Sequence, residues 1–469
     1  MVRKSGTVHV NKITNTVKGV TYTSSYLRRT FRQDGKVKHE TLGNLSDLPL
    51  PVIDLIRRSL TGETFVPASE IFNDIHALPH GHVEAVLIMI RRLGLDTLIA
   101  SRPSRQRDLV LALSVARLLF PGSKLVTTRH WHVTTLAQEL RVQDATENDL
   151  SAAMDWLLER QKAIEQKLAQ KHLTNGGLVL YDVSSSYYEG ETCPLARYGH
   201  DRDGKTGRPI IVSGVLTDAA GRPVAVQVYP GDTGDPSTVP DQVTKLSQQF
   251  GLSRVVLVGD RYILIQMHIN TLKEHPGLGW NSALRSPAIR DLLQDGHLNR
   301  WLFDPVNLAE IESPEFPGER LIACYNPLLA EQRRRKRDQL LAATEVNLTK
   351  LVARGVSRRT KAPLSAAEIG VKAGRVVGRH KMAKHIRLTI SDGTFTWCRD
   401  DNSIQKESLL DGIYVVRTSE PAERLSAEAS VRSYKRLSLV EQWFRCLKGI
   451  DLLVRRSIIG LNHECAPMY

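Results

Sequence analysis

Three acids draw attention by their place along the chain. Asp182 ends the apolar run Leu178-Val179-Leu180-Tyr181, and Asp260 ends Val255-Val256-Leu257-Val258-Gly259. Glu441 lies in a helical pattern that follows the run from Ile413 to Thr418. A carboxylate at the end of a buried strand is costly unless something positive meets it, and hard oxygen donors suit Mg²⁺ or Mn²⁺. Such carboxylates can hold ions that act on the attacking and leaving oxygens of a phosphodiester displacement. At about 100° per residue, Leu437, Glu441, Phe444, Lys448 and Tyr434 share one helical face, so Glu441 is expected to point at the sheet with Leu437 and Phe444. Each acid also has a plainer reading. Glu441 can pair with Arg445 at i+4, and Asp182 and Asp260 can cap neighbouring elements. The three in this order favour the metal site.

Other motifs carry less. Gly199-His200-Asp201-Arg202-Asp203-Gly204-Lys205-Thr206 fits the phosphate-loop pattern letter for letter. That motif works only between a strand and a helix N-terminus. Leu195 to Tyr198 makes a poor buried strand, and Gly207-Arg208-Pro209 stops a helix at once. The segment is read instead as an exposed basic loop with Arg202, Lys205 and Arg208. Ser184-Ser185-Ser186 lacks a nucleophile turn and a histidine partner, and none of the 15 histidines falls in an H-E-x-x-H motif.

The elements that would position these residues follow from periodicity. Asp34-Gly35 between two β-prone runs predicts a hairpin within a β-rich segment 1–50. Its cations, among them Arg28, Arg29 and Arg32, are read as a solvated face. A helical region is expected over 51–175, where Leu150, Met154, Leu157, Ile164 and Leu168 form one buried stripe of a long helix. From 176 to 270 the pattern predicts a three-strand meander, a helix and a strand suited to parallel pairing, which is a mixed α/β sheet. A basic, partly β insertion is expected over 271–407, with β-like runs from Val371 to Trp397. The core resumes over 408–455, and 456–469 is a tail.

The chain has 469 residues, 41% hydrophobic, with 64 Lys plus Arg against 50 Asp plus Glu and a formal charge of +14. This suits a polyanionic partner. No run approaches the roughly 20 apolar residues of a membrane helix, and no leader pattern opens the chain. The five cysteines, odd in number and far apart, suggest reduced thiols, so a cytoplasmic, nucleoid-associated protein is expected.

Taken together, Tyr181-Asp182-Val183-Ser184, the Gly199 to Pro209 loop, Tyr229-Pro230-Gly231-Asp232, Val258-Gly259-Asp260-Arg261 and the stretch Tyr434 to Lys448 resemble the DDE transposases of bacterial insertion sequences. The resemblance is to the insertion-sequence-four-like group, with a long insertion before the final Glu, and covers most of the chain from about 176. In that family a Y-(2)-R-(3)-E-(6)-K signature surrounds the catalytic Glu. Tyr434, Glu441 and Lys448 match it, whereas Leu437 stands at the Arg position. Tyr262-Ile263 likewise replaces the usual Gly-Met.

The resemblance implies a ribonuclease H-like sheet on which Asp182, Asp260 and Glu441 bind Mg²⁺ or Mn²⁺. Tyr434 and Lys448 would hold a DNA-end phosphate, and Arg202, Lys205, Arg208 and Arg261 would add DNA contacts. The expected activity is cleavage at transposon ends and strand transfer into target DNA, by a homodimer assembled on DNA. Basic residues of the helical region and the insertion would supply phosphate contacts. Trp397 could stack on an unpaired base, though a structural role is the plainer one. The short stretch after Lys448 suggests a truncated copy. A ribonuclease H-like nuclease or resolvase, or an inactive DNA-binding remnant, are the alternatives.

Overall fold

The computed structural model describes all residues except 1–5, 68–76, 191, 203, 205–206, 276, 304–306, 356–363, 450, 454–455 and 458–469. The chain divides into two compact units, Met1–Ala77 and Leu78–Tyr469.

The first unit is a three-stranded antiparallel meander, β1 (Thr7–Val17), β2 (Val20–Gln33) and β3 (Lys36–Asn44), with helix α1 (Leu50–Leu60). Asp34 and Gly35 both adopt positive φ, 53° and 73°, as a tight hairpin turn with the strands' own twist requires. The turn at Lys18-Gly19, at 52° and 77°, does the same for β1 and β2 and was not foreseen. Helix α1 buries Ile53 and belongs to this unit, so the expected boundary at residue 50 falls inside it.

The second unit opens with seven helices: α2 (Gly81–Leu93), α3 (Leu95–Ile99), α4 (Arg105–Leu119), α5 (Lys124–Arg129), α6 (Leu136–Glu139), α7 (Glu147–Glu159) and α8 (Gln161–His172). The single long helix expected around Met154 is two helices broken at Arg160, whose guanidinium lies 3.8 Å from the Trp156 ring centre. Helix α8 buries Glu165 and Ala169 most deeply, while Leu168, as expected, packs half-buried against the same core. Buried Glu165 accepts hydrogen bonds from Gln161 Nε2, the Val226 amide and Lys245 Nζ at 2.9, 3.1 and 3.0 Å, which ties the helical region to the sheet.

The core is a mixed nine-stranded sheet. Its strands are β4 (Leu178–Tyr188), β5 (Ile210–Asp218), β6 (Pro223–Pro230), β7 (Val255–Gly259), β8 (Leu278–Ala283), β9 (Leu308–Ile311), β10 (Arg320–Tyr325), β13 (Ile413–Thr418) and β14 (Arg456–Ser457). The order is β6-β5-β4-β7-β8-β13-β10-β9, with β14 beside the far end of β4. β4, β5 and β6 pair antiparallel, whereas β4, β7 and β8 run parallel. The mixed α/β class is as the periodicity indicated.

Helices α9 (Val239–Thr244), α10 (Gln266–Glu274) and α11 (Ser286–Gln294) connect the strands. Because β8, β9 and β10 join the core sheet, the insertion expected from residue 271 loses its first part to the core. What stands outside the sheet is α12 (Pro327–Gly355), α13 (Ala366–Arg379), the hairpin β11 (Ile386–Ser391) and β12 (Thr394–Arg399), and α14 (Asp401–Ser408). Val371 to Arg379, expected as strand, is helical, since Ser365 and Glu368 form a capping box and Ile369, Ala373 and Val377 recur at helical spacing. Trp397 packs on this subdomain's own core.

The chain returns through β13 to α15 (Ala427–Lys435) and α16 (Leu437–Lys448). Leu437, Val440, Phe444 and Leu447 of α16 pack on Leu180, Val215 and Val258 of β4, β5 and β7. No described helix is long and apolar enough to cross a membrane.

Candidate functional site

Sheet register brings the first two acids together. Tyr181 of β4 pairs with Gly259 of β7 in parallel, so Asp182 and Asp260 follow at the same level on adjacent strands, which lie about 4.8 Å apart in a sheet. Side chains alternate along a strand, and Leu180 and Val258 both face α16. Asp182 and Asp260, two residues further on, therefore take that same face. Asp182 does not end its strand as expected. β4 runs on to Tyr188, and Asp182 keeps its partner Val215 on β5. It is β7 that stops, opening the sheet beside Asp182.

Helix α16 brings Glu441 to the same opening. Asp182, Asp260 and Glu441 all line one cavity of about 740 Å³, with Arg202, Asp235 and Tyr434. A second cavity of about 920 Å³ meets it at Asp182, Arg202 and Glu441 and continues to Lys448. Glu441 is nevertheless not directed inward. Its side chain is 62% exposed and lies 3.8 Å from Arg445 at i+4. The buried stripe of α16 includes Val440 and Leu447, which shifts its centre about 80° from Glu441. The five residues expected on one face also span two helices, because the chain breaks at Arg436 between Tyr434 and Leu437.

Burial pushes the Asp182 carboxyl up from its ordinary 3.8 to about 7, and the charges of Asp260 and Glu441 add to the rise. The Val183 amide, which donates to Asp182 Oδ1 at 2.8 Å, and the nearby Arg202 cation oppose it. Tyr434 donates its hydroxyl to Asp260 Oδ1 at 2.9 Å, and burial together with the Asp260 charge raises its own pKa. The donor chemistry fits a hard divalent cation, since three carboxylates crowd one cleft and one of them resists ionisation. As the side chains stand, no group of three or more His, Cys, Asp or Glu among the described residues is arranged to hold an ion.

The expected DNA-contact residues are distributed unevenly. Lys448 Nζ donates to Ser184 Oγ at 2.7 Å and to the Ser185 carbonyl, fixing the end of α16 to β4. Arg202 lies in the cleft, ion-paired to Asp235, and its amide donates to Ser185 Oγ at 3.1 Å. Arg208 is away from the acids, paired with Glu189 at 2.9 Å. Arg261 and Arg285 both stack near the Tyr262 ring, at 5.1 and 4.9 Å. Tyr262 itself is half exposed and its amide donates to Asp260 Oδ2 at 3.4 Å, while Ile263 is buried. Lys205 lies outside the described residues.

The loop that carries Arg202 contains no helix among its described residues and runs straight into β5, so the phosphate-loop pattern has no helix to work with. It is clamped to the segment after β6. Arg197 pairs with Asp232 at 3.1 Å, and a Cβ on Gly199 would lie 1.9 Å from the Gly231 carbonyl oxygen. Asp235 was missed by sequence reasoning. The Gly231-Asp232 stretch before it was singled out, but nothing in the spacing linked it to Arg202.

Residues 10–66 match the family model described as the IS1634 family transposase, N-terminal domain. None of the curated proteins matches the chain. Among solved structures, the piggyBac transposase synaptic complex with hairpin DNA is 15% identical, with 49% of this chain and 52% of that chain covered and a TM-score of 0.29. The match thus spans about half the length of the piggyBac chain. The Mos1 transposase paired-end complex is 11% identical, with 52% and 70% covered and a TM-score of 0.17. Over residues 10–66 the chain is thus similar to the N-terminal domain of an insertion-sequence transposase family.

Proposed function

We propose that the protein is a DDE-type DNA transposase, cutting at transposon ends and joining them to target DNA at the cleft of Asp182, Asp260 and Glu441. The observation that carries this reading is the register that sets Asp182 beside Asp260 where β7 stops, under the helix that bears Glu441. A ribonuclease H-like core is supported by the strand sequence. Three antiparallel strands in meander order are followed by two strands added parallel to the first, giving β6-β5-β4-β7-β8.

Asp182, Asp260 and Glu441 would hold Mg²⁺ or Mn²⁺, with Glu441 turning from Arg445 to do so. That pair is exposed and of little energetic weight. When bound, such ions supply activation of the attacking oxygen and stabilisation of the leaving oxygen. The chain's own groups do the rest. Tyr434 orients Asp260, Lys448 holds the β4 end in place, and Arg202 presents positive charge beside Asp182 for a phosphate. DNA is the partner, taken by a homodimer.

The test uses labelled duplexes from the DNA flanking the reading frame, with Mg²⁺. Joined products are expected. Nicks without joining would favour a ribonuclease H-like nuclease, and a mobility shift without cleavage would favour a DNA-binding remnant. Asp182→Ala, Asp260→Ala and Glu441→Ala should each abolish cleavage and keep end binding. Full activity in any one removes that residue from the triad.

A further inference from the structure

Helix α12 borders two cavities. Leu329, in its first turn, and the preceding Asn326 line the acid cleft. Further along, Arg333, Lys336, Arg337 and Leu340 line a separate cavity of about 340 Å³, which Arg290 and Lys384 also border. With Leu329 at 0°, helical rotation puts Arg333 at about 40°, Lys336 at about −20°, Leu340 at about 20° and Arg337 at about 80°. One face of one helix therefore leads from the acids to the second cavity.

That second cavity is strongly cationic. Arg290, Arg333, Lys336, Arg337 and Lys384 face two acids, Glu407 and Asp411. Both acids are already engaged. Asp411 accepts from Arg337 Nη1 and Nη2 at 3.1 and 2.6 Å, and Glu407 pairs with Lys384 and with His385 Nε2 at 3.0 Å. Arg337 is 6% exposed, so its pair with Asp411 forms a rigid, locally neutral floor. Arg333 donates to the Leu410 carbonyl at 3.1 Å, which fixes its guanidinium at the wall. Arg290, Arg333 and Lys336 are exposed and carry a surplus of positive charge that these two acids do not offset. Fixed guanidinium groups over a rigid floor suit the oxygens of a phosphate.

We propose that this cavity binds a backbone phosphate of the DNA strand whose reacting phosphate occupies the acid cleft, which rests on the transposase reading above. The helix sets the spacing. Leu329 and Lys336 are seven residues apart, or about 10 Å along the axis. Successive phosphates of one duplex strand rise about 3.4 Å along the duplex axis and also wind around it, so they stand farther apart through space. The cavity therefore takes a phosphate within about three nucleotides of the reacting one, and α12 acts as the spacer between them.

The experiment compares the full wild-type chain with the double variant Arg333→Gln/Lys336→Gln, both sites being exposed and outside the Arg337–Asp411 pair. Binding of the flanking-DNA duplex is followed by fluorescence anisotropy from 50 to 200 mM salt, with circular dichroism to check the fold. The slope of log K against log salt should become shallower by about 1, and affinity near 0.1 M salt should fall about tenfold, as counterion release at one phosphate predicts. A neutral methylphosphonate, placed in turn at the first three linkages beside the cut, should weaken the wild type at one of them and leave the variant unaffected there. An unchanged slope, or equal sensitivity of both proteins to the methylphosphonate, overturns the proposal. So does stabilisation of the wild type alone by inorganic phosphate while DNA binding stays equal, which assigns the cavity to a free anion. A wild type that binds no DNA at any salt instead refutes the transposase reading, and this site falls with it.

Discussion

Replacing Asp182 by Asn removes a charge and keeps the shape, because the Val183 amide can still donate to Oδ1. In the wild type the carboxyl is raised from 3.8 to about 7, by burial first and then by Asp260 and Glu441. The folded chain therefore holds a proton that the unfolded chain releases between about pH 4 and pH 7. The sign follows: the wild type loses stability as pH rises through that window, and the loss is complete above it. A shift of about three units at 1.36 kcal/mol each sets an upper bound of about 4 kcal/mol. From pH 5 to pH 8, the advantage of Asp182→Asn over the wild type should grow by roughly 2 to 3 kcal/mol. Urea unfolding with a chelator present, followed through tryptophan fluorescence, to which buried Trp280 on β8 contributes, reads this directly. Added Mg²⁺ at pH 8 should narrow the gap, since an ion held only by the native carboxylates stabilises the wild type. A difference that stays constant from pH 5 to pH 8 would refute the reasoning, because it would mean that Asp182 is not strained by its neighbours.

Two further outcomes follow from the cleft. Tyr434→Phe removes one hydrogen bond to the Asp260 carboxylate, of a kind that contributes about 1.5 to 3 kcal/mol, so cleavage should slow about ten- to hundredfold while end binding changes little. Single-turnover cleavage and anisotropy on the same duplex separate the two effects. Gly199→Ala places a methyl group 1.9 Å from the Gly231 carbonyl oxygen and must shift the loop that holds Arg202 beside Asp182, so cleavage should fall sharply with the sheet intact. Cleavage at the wild-type rate would show that the position of that loop does not matter.

The sequence was legible where one local signal decided one local structure. Asp34-Gly35 specified its hairpin, and the apolar runs at Val179, Ile211, Val224, Val255 and Val415 are strands. The segment around Val371 was misread because Ile369, Val371, Val376 and Val377 are β-branched, while the capping box at Ser365 and Glu368 made it helical. β8 and β10 were assigned outside the core because short apolar runs carry no mark of the sheet they will join. Arg160 and Arg436 each end a helix within a continuous apolar pattern, and periodicity alone does not register such a break.

By itself, the sequence determined the residue types available for chemistry: three carboxylates, a tyrosine and cations in an order that resembles a known family. The positions of Asp182 and Asp260 relative to each other came from strand pairing, since residues 78 apart become neighbours only through the register of Tyr181 with Gly259. The Glu441–Arg445 pair was one of two readings its i+4 spacing already offered, but tertiary packing alone decided that Asp235 holds Arg202 and that α12 borders both the acid cleft and a cationic cavity. The physical reason is the same in each case. Periodicity records which side of an element is buried, but not which distant element buries it.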